Sequence, residues 1–281
     1  MSGELSHQSQ TSDDVIVRCE KIEVGYGEGP SVFRDCSFDI IRGQYVALAG
    51  PNGGGKSTLV KAILGLIPLR RGKVYLLGQE LGRFRDWVRI GYLSQQANRT
   101  QATSVPVTVN ELLNASWRSR HGGFWPARIR REERQQIQAM LELLDIQDLG
   151  GMMCHSLSGG QQQRVFLAQT MMQDPELVIL DEPTEALDPK SRDRFYQLLQ
   201  RLNRERAVTI ILITHDIASA GHYADTLLFM DHALVYHGNF ADFCRSGTMT
   251  RYFGEETQHM ICHQHGVVDG CCGFKGGADN G

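Results

Sequence analysis

The run Tyr45-Val46-Ala47-Leu48-Ala49 passes directly into Gly50-Pro51-Asn52-Gly53-Gly54-Gly55-Lys56-Ser57, and no other junction restricts the fold of this chain as much. The apolar run reads as a buried strand. The glycine-rich stretch fits G-x-x-x-x-G-K-[ST], a turn that opens a helix with successive backbone N–H groups aimed at phosphate oxygens. A strand feeding a helix through such a turn calls for an α/β fold. A second apolar run, Leu177–Leu180, ends in the carboxylates Asp181 and Glu182, and a third, Val208–Ile213, leads through Thr214 to His215 and Asp216. Between the first and second lies Leu157-Ser158-Gly159-Gly160-Gln161, which again offers a hydroxyl and backbone N–H groups at a helix start.

A phosphate-binding loop, an LSGGQ segment about a hundred residues later and an acidic strand end just beyond it resemble the ATP-binding subunit of an ABC (ATP-binding cassette) transporter, and the likeness runs from roughly Val15 to Phe253. It implies a P-loop cassette with a RecA-like catalytic lobe, an antiparallel β subdomain and a helical lobe over about 97–160. Residues 1–14 read as a disordered leader, 15–254 as the ATPase domain and 255–281 as a flexible His/Cys/Gly-rich tail. A single cassette and a short interval between its halves set the chain apart from the tandem translation factors and from the DNA-repair relatives with their long coiled coils.

The same resemblance implies ATP and Mg²⁺ as cofactors. Gly50, Asn52, Gly53, Gly54, Gly55, Lys56, Ser57 and Thr58 form the phosphate cradle, with Lys56 as its cation. Ser57, Gln95 and Asp181 are the expected Mg²⁺ ligands, since a hard cation prefers oxygen donors. Glu182 is placed as the general base, His215 as the switch histidine and Tyr26 as the ring that stacks on adenine. Ser158, Gly159, Gly160 and Gln161, with Asp188 beyond Walker B, are expected at the nucleotide across a head-to-tail homodimer, because one triphosphate does not need two anion sites in the same chain. Two positions depart from the family pattern. Glu185 stands where many relatives have a small or neutral residue, and either weakens dimer closure or points to solvent; Gly54 fills a slot where Ala or Ser is common and reads as a mild variation.

A net charge of −3 gives no reason to expect nucleic acid as a partner, and the apolar runs fall far short of the ~20 residues of a membrane span. The resemblance then implies a place on the cytoplasmic face of the cell membrane, held there by an integral membrane permease that an extracytoplasmic metal-binding protein supplies. Thr108-Val109-Asn110-Glu111 fits a capping box that starts a helix running to about Trp117; Trp117–Pro126 then reads as a solvated loop. Ile129, Ile137, Met140, Leu141 and Leu144 recur at helical spacing and predict a core-facing stripe. Cys19, Cys36, Cys154 and Cys244 read as free thiols.

His259, Cys262, His263, His265, Cys271 and Cys272 crowd into the tail, where N and S donors at such density suit Zn²⁺, the other readings being an inert tail and an assembly or redox role for the Cys pair. The stretch Gln95–Arg99 through Val105–Val109 is similar to the corresponding part of zinc and manganese importer ATPases. Together they point to an importer of a divalent metal. The other readings are an importer ATPase for another solute, such as an iron chelate, and a free-standing regulatory ABC ATPase.

Overall fold

In the computed structural model, residues 14–95, 106–121, 131–185, 187–243 and 245–264 are described. Among these described residues, ten strands form two sheets. In the first, β1 (Val15–Gly25), β2 (Ser31–Ile41), β4 (Arg71–Leu76) and β5 (Gln79–Glu80) pair antiparallel in the order β2-β1-β4-β5. The second contains β3 (Tyr45–Ala49), β6 (Ile90–Leu93), β7 (Leu177–Asp181), β8 (Thr209–Ile213), β9 (Thr226–Met230) and β10 (Leu234–Asn239), in the order β10-β9-β3-β8-β7-β6. Its pairs are parallel except the β9–β10 hairpin at one edge.

Every residue of β3, β7, β8 and β9 is buried, as expected for parallel strands covered on both faces. Alternation divides them between two cores. Val46, Leu48, Ile179, Ile211 and Ile213 face the antiparallel sheet and helix α1 (Lys56–Ile63), while Tyr45, Ala47, Val178, Leu180 and Leu212 face the remaining helices. The first core thus clamps α1, and with it the turn that α1 follows, between two sheets.

The second core takes in α2 (Val109–His121), α3 (Arg131–Leu143), α4 (Gly159–Met171) and α5 (Pro189–Arg206). The capping box at Thr108 forms: Glu111 Oε2 accepts from the Thr108 N–H at 2.8 Å, and Thr108 Oγ1 accepts from the Glu111 N–H at 3.3 Å. The helix runs past Trp117, so the start of the expected loop is helical instead. The cause is burial, because Trp117 packs on the core and Arg118 pairs with the buried Glu133 of α3 at 2.7 Å. Residues 122–130, including Ile129 of the predicted stripe, lie outside the described residues; Ile137, Met140, Leu141 and Leu144 are buried as predicted. Backbone bonds from Val109 to Met152, Asn110 to Gly150 and Cys154 to Val107 pin the start of α2 to the approach to α4.

Helix α6 (Ile217–Gly221) lies between β8 and β9, and α7 (Phe240–Phe243), α8 (Gly247–Phe253) and α9 (Glu255–Gln264) follow β10. Residues 255–264, the start of the stretch that the sequence reads as a flexible tail, form α9, which packs through Gln258: this side chain is 4% exposed, donates to Phe243 O at 2.6 Å and accepts from Thr250 Oγ1 at 2.6 Å. Glu255 and Glu256 suit its first turn electrostatically. Cys19, Cys36 and Cys154 are free and buried, and Cys244 lies outside the described residues. Among the described residues no helix is long and apolar enough to cross a membrane.

Candidate active site

Four neighbouring strands of the parallel sheet, β3, β8, β7 and β6, deliver the predicted groups to one edge. Gly50–Ser57 follows β3, His215 follows β8, Asp181 and Glu182 end β7, and Gln95 follows β6. Crevices outside the carboxyl ends of such strands are where α/β sheets hold ligands.

The loop after β3 is shaped by close approach as much as by flexibility. Gly50 has φ 145° and Gly55 φ 98°, and a Cβ on Gly50 would lie 1.9 Å from Met230 O. Gly54 is less permissive than its sequence slot suggests. A Cβ there would meet Met230 O at 2.9 Å and Pro51 O at 3.1 Å, and its own carbonyl accepts from the His232 N–H at 3.0 Å, so the β9–β10 turn packs directly on the loop. Lys56 is 5% exposed and donates to Gly50 O and Pro51 O, both at 2.9 Å. Burial lowers its pKa, against the opposing pull of Glu182 and Asp181. A desolvated ammonium inside a ring of backbone groups is fitted to a phosphate anion.

Ser57 Oγ lies 3.4 Å from Asp181 Oδ1, so the first residue after the lysine and the end of β7 set two hard oxygen donors side by side. Burial, then the neighbouring Glu182, raises the Asp181 pKa. The same burial, with Asp181 nearby, pushes the Tyr92 phenol up to about 12. A carboxylate short of compensating charge beside a serine hydroxyl fits a divalent cation such as Mg²⁺. Tyr26, 54% exposed, places its hydroxyl 3.2 Å from Thr58 Oγ1, which sets an open ring beside the loop.

Glu182 sits at φ 50°, a conformation uncommon for a side chain with a Cβ. A buried polar chain supports the bend: Thr184 Oγ1 is 3.2 Å from Tyr196 OH, which is 3.4 Å from Thr214 Oγ1. That chain joins the turn after β7 to the turn that carries His215. Asp216 beside it pairs with Arg192 of α5 and caps α6 by accepting from the Ser219 N–H at 3.0 Å. His215 itself is exposed. Gln95 Nε2 donates to Glu182 Oε2 at 3.2 Å and to Glu185 Oε2 at 2.9 Å. Sequence reasoning left Glu185 between two readings, and neither included this contact.

The LSGGQ residues stand apart from this group. Ser158 caps α4 in a reciprocal box with Gln161, and Ser158 and Gly159 are exposed. They border a cleft of about 320 Å³ lined by Ser158, Gly160, Gln161, Arg164, Leu187 and Arg194, with no residue of the Gly50–Ser57 loop. Asp188 caps α5, accepting from Lys190 and Ser191 N–H at 3.1 Å each; hydrogen bonding by the Ser191 side chain, then by these backbone groups, holds its carboxyl below the usual range. Cys271, Cys272 and His265 lie outside the described residues, as do the side chains of His259, Cys262 and His263; the remaining described residues contain no group of three metal-binding side chains.

The sequence profile of the family "ABC transporter" matches residues 33–185, more than half of the chain. The chain belongs to the ABC transporter family. It is an ABC-type ATPase with the cassette fold. The cassette is 32% identical over 234 residues to the zinc uptake system ATP-binding protein ZurA of Listeria monocytogenes, covering 83% of this chain and 88% of that one. It is also 32% identical to the phosphonates import ATP-binding protein PhnC of Alcaligenes faecalis, covering 88% and 91%. Among solved structures it is similar to cbiO1 of Clostridium perfringens, part of the ABC transporter complex cbiONQ, with a TM-score of 0.73, 25% identity and coverage of 88% and 98%. A dimeric cassette in a post-hydrolysis state with ADP and Pi matches with a TM-score of 0.64 at 25% identity, covering 79% and 98%.

Proposed function

We propose that this cassette is the ATP-hydrolysing subunit of an importer for a divalent metal such as zinc or manganese, working as a homodimer on the cytoplasmic face of a membrane permease. The observation that carries the catalytic part is the convergence of Lys56, Ser57, Asp181, Glu182, Gln95 and His215 at the carboxyl edge of four adjacent strands. Lys56 exchanges its loop carbonyls for phosphate oxygens, and Ser57, Asp181 and Gln95 would hold Mg²⁺, which would supply charge neutralisation at the phosphates. Glu182 takes the proton of the attacking water, with His215 at the γ-phosphate and Tyr26 against the adenine. Ser158, Gly159, Gly160, Gln161 and Asp188 serve the nucleotide held by the other subunit, a reading supported by the separation of their cleft from the chain's own loop.

Metal import is supported by the zinc uptake relative and by the His/Cys-rich tail; on this reading His259, Cys262, His263, His265, Cys271 and Cys272 bind Zn²⁺. An extracytoplasmic binding protein delivers the ion to the permease. The equally identical phosphonate relative favours a second reading, an importer of a small anion. Deletion of the gene separates the two. Metal import predicts lowered cellular zinc or manganese and poor growth only under metal limitation; unchanged metal content with lost growth on phosphonate as sole phosphorus source would overturn it.

A further inference from the structure

We infer that Glu185 is a positioning residue that fixes the orientation of the Gln95 amide, and so determines which of its atoms can face the nucleotide's metal ion. The inference rests on the placement of Gln95 and Glu182 in the site proposed above.

An amide side chain has one acceptor end and one donor end, and only the oxygen can ligate a hard cation. With a single weak partner such a group rotates freely between two orientations. Here the Nε2 end meets two carboxylates, Glu182 Oε2 at 3.2 Å and Glu185 Oε2 at 2.9 Å. Ionised carboxylates only accept, so both bonds require the NH₂ group, and Oε1 is committed to the opposite branch. The shorter of the two contacts belongs to Glu185.

The backbone holds Glu185 in place for this task. Glu182 turns the chain at φ 50°, the Glu185 N–H donates to Glu182 O at 3.4 Å, and Thr184 between them is anchored by Tyr196. The turn therefore sets both carboxylates on one amide. A small or apolar side chain at 185 would leave Gln95 with one acceptor, and that one is the general base. Glu185 thus supplies the fixed half of the grip, so that Glu182 can turn to water without releasing the amide.

The test is a double-mutant cycle with Glu185→Ala and Gln95→Ala in the full-length protein. Without nucleotide or metal, the unfolding midpoints of the two single variants and the double variant are expected to be non-additive, because each single change removes the same bond. With ATP, Glu185→Ala is expected to raise the Mg²⁺ concentration for half-maximal nucleotide binding and hydrolysis by about 3–10-fold, the worth of one hydrogen bond, with a smaller effect on kcat. Glu185→Gln, which keeps an acceptor oxygen, should fall between. In the Gln95→Ala background the Glu185→Ala change should add no further Mg²⁺ shift. Additive midpoints, an unchanged Mg²⁺ requirement, or a full shift in that background would each overturn the inference, the last by showing that Glu185 acts on the metal directly. The nucleotide-free cycle reads the contact itself, so its failure is distinct from failure of the ATPase assignments.

Discussion

Burial and the neighbouring Glu182 both disfavour the ionised form of Asp181, while Ser57, Lys61 and Lys56 offset them only in part. A carboxyl whose folded pKa is raised costs nothing below its unfolded pKa, and its penalty grows as pH rises through the folded value. Asp181→Asn is therefore expected to raise the unfolding midpoint of the nucleotide-free protein at neutral pH, by roughly 2–4 °C, and to leave it unchanged at pH 3, while hydrolysis is lost. A destabilised variant at neutral pH would contradict this. Glu182→Gln keeps shape but removes the base, and turnover should fall on the order of 10²–10⁴-fold with ATP still bound; near-normal hydrolysis would remove Glu182 from that role. These two residues were legible because a carboxylate pair at the end of an apolar run has few other uses. The crowding at Gly54 and the grip of Glu185 were not, because each depends on a partner far away in sequence, Met230 in one case and Gln95 in the other.

At the scale of elements, α2 and α3 are joined by an ion pair with side chains only 9% and 2% exposed, Arg118 and Glu133. Removing one member of a buried pair is strongly destabilising, so Arg118→Ala is expected to cost about 3–5 kcal/mol, measured by denaturant unfolding, whereas replacing both residues by apolar ones of similar volume should cost much less. Equal losses would show that the pair contributes by packing alone. The helix carrying Arg118 had a readable start, because a capping box is local; its continuation was hidden, because Arg118 and Arg120 look solvated until Glu133 and Asp174 are brought beside them. Strands followed the same rule. Four of those in the six-stranded sheet are buried at every position, and the apolar runs of β3, β7 and β8 are plain in the sequence, while the register that puts Gln95 beside Glu182 comes from β6 pairing with β7 across more than eighty residues.

For the whole molecule the decisive question is where the LSGGQ residues act. Their cleft is lined by Leu187 and Arg194 of the same chain and by nothing from Gly50–Ser57, so on the proposed function they complete a nucleotide site only when a second copy is turned head to tail. Lys56→Ala disables the loop and Ser158→Arg the cap, and either homodimer then carries a lesion in both composite sites. A mixed dimer concentrates both lesions in one site and leaves the other intact. Mixing the two inactive variants should therefore restore ATP-dependent closure, measured by crosslinking across the interface, at up to about a quarter of the wild-type number of intact sites, since about half of randomly formed dimers are mixed. Restored closure cannot arise if each chain uses its own Ser158, for then every subunit in the mixture would be defective whatever its partner. Complete failure to close, with mixed dimers shown to be present, would mean that the trans arrangement or the independence of the two composite sites is wrong.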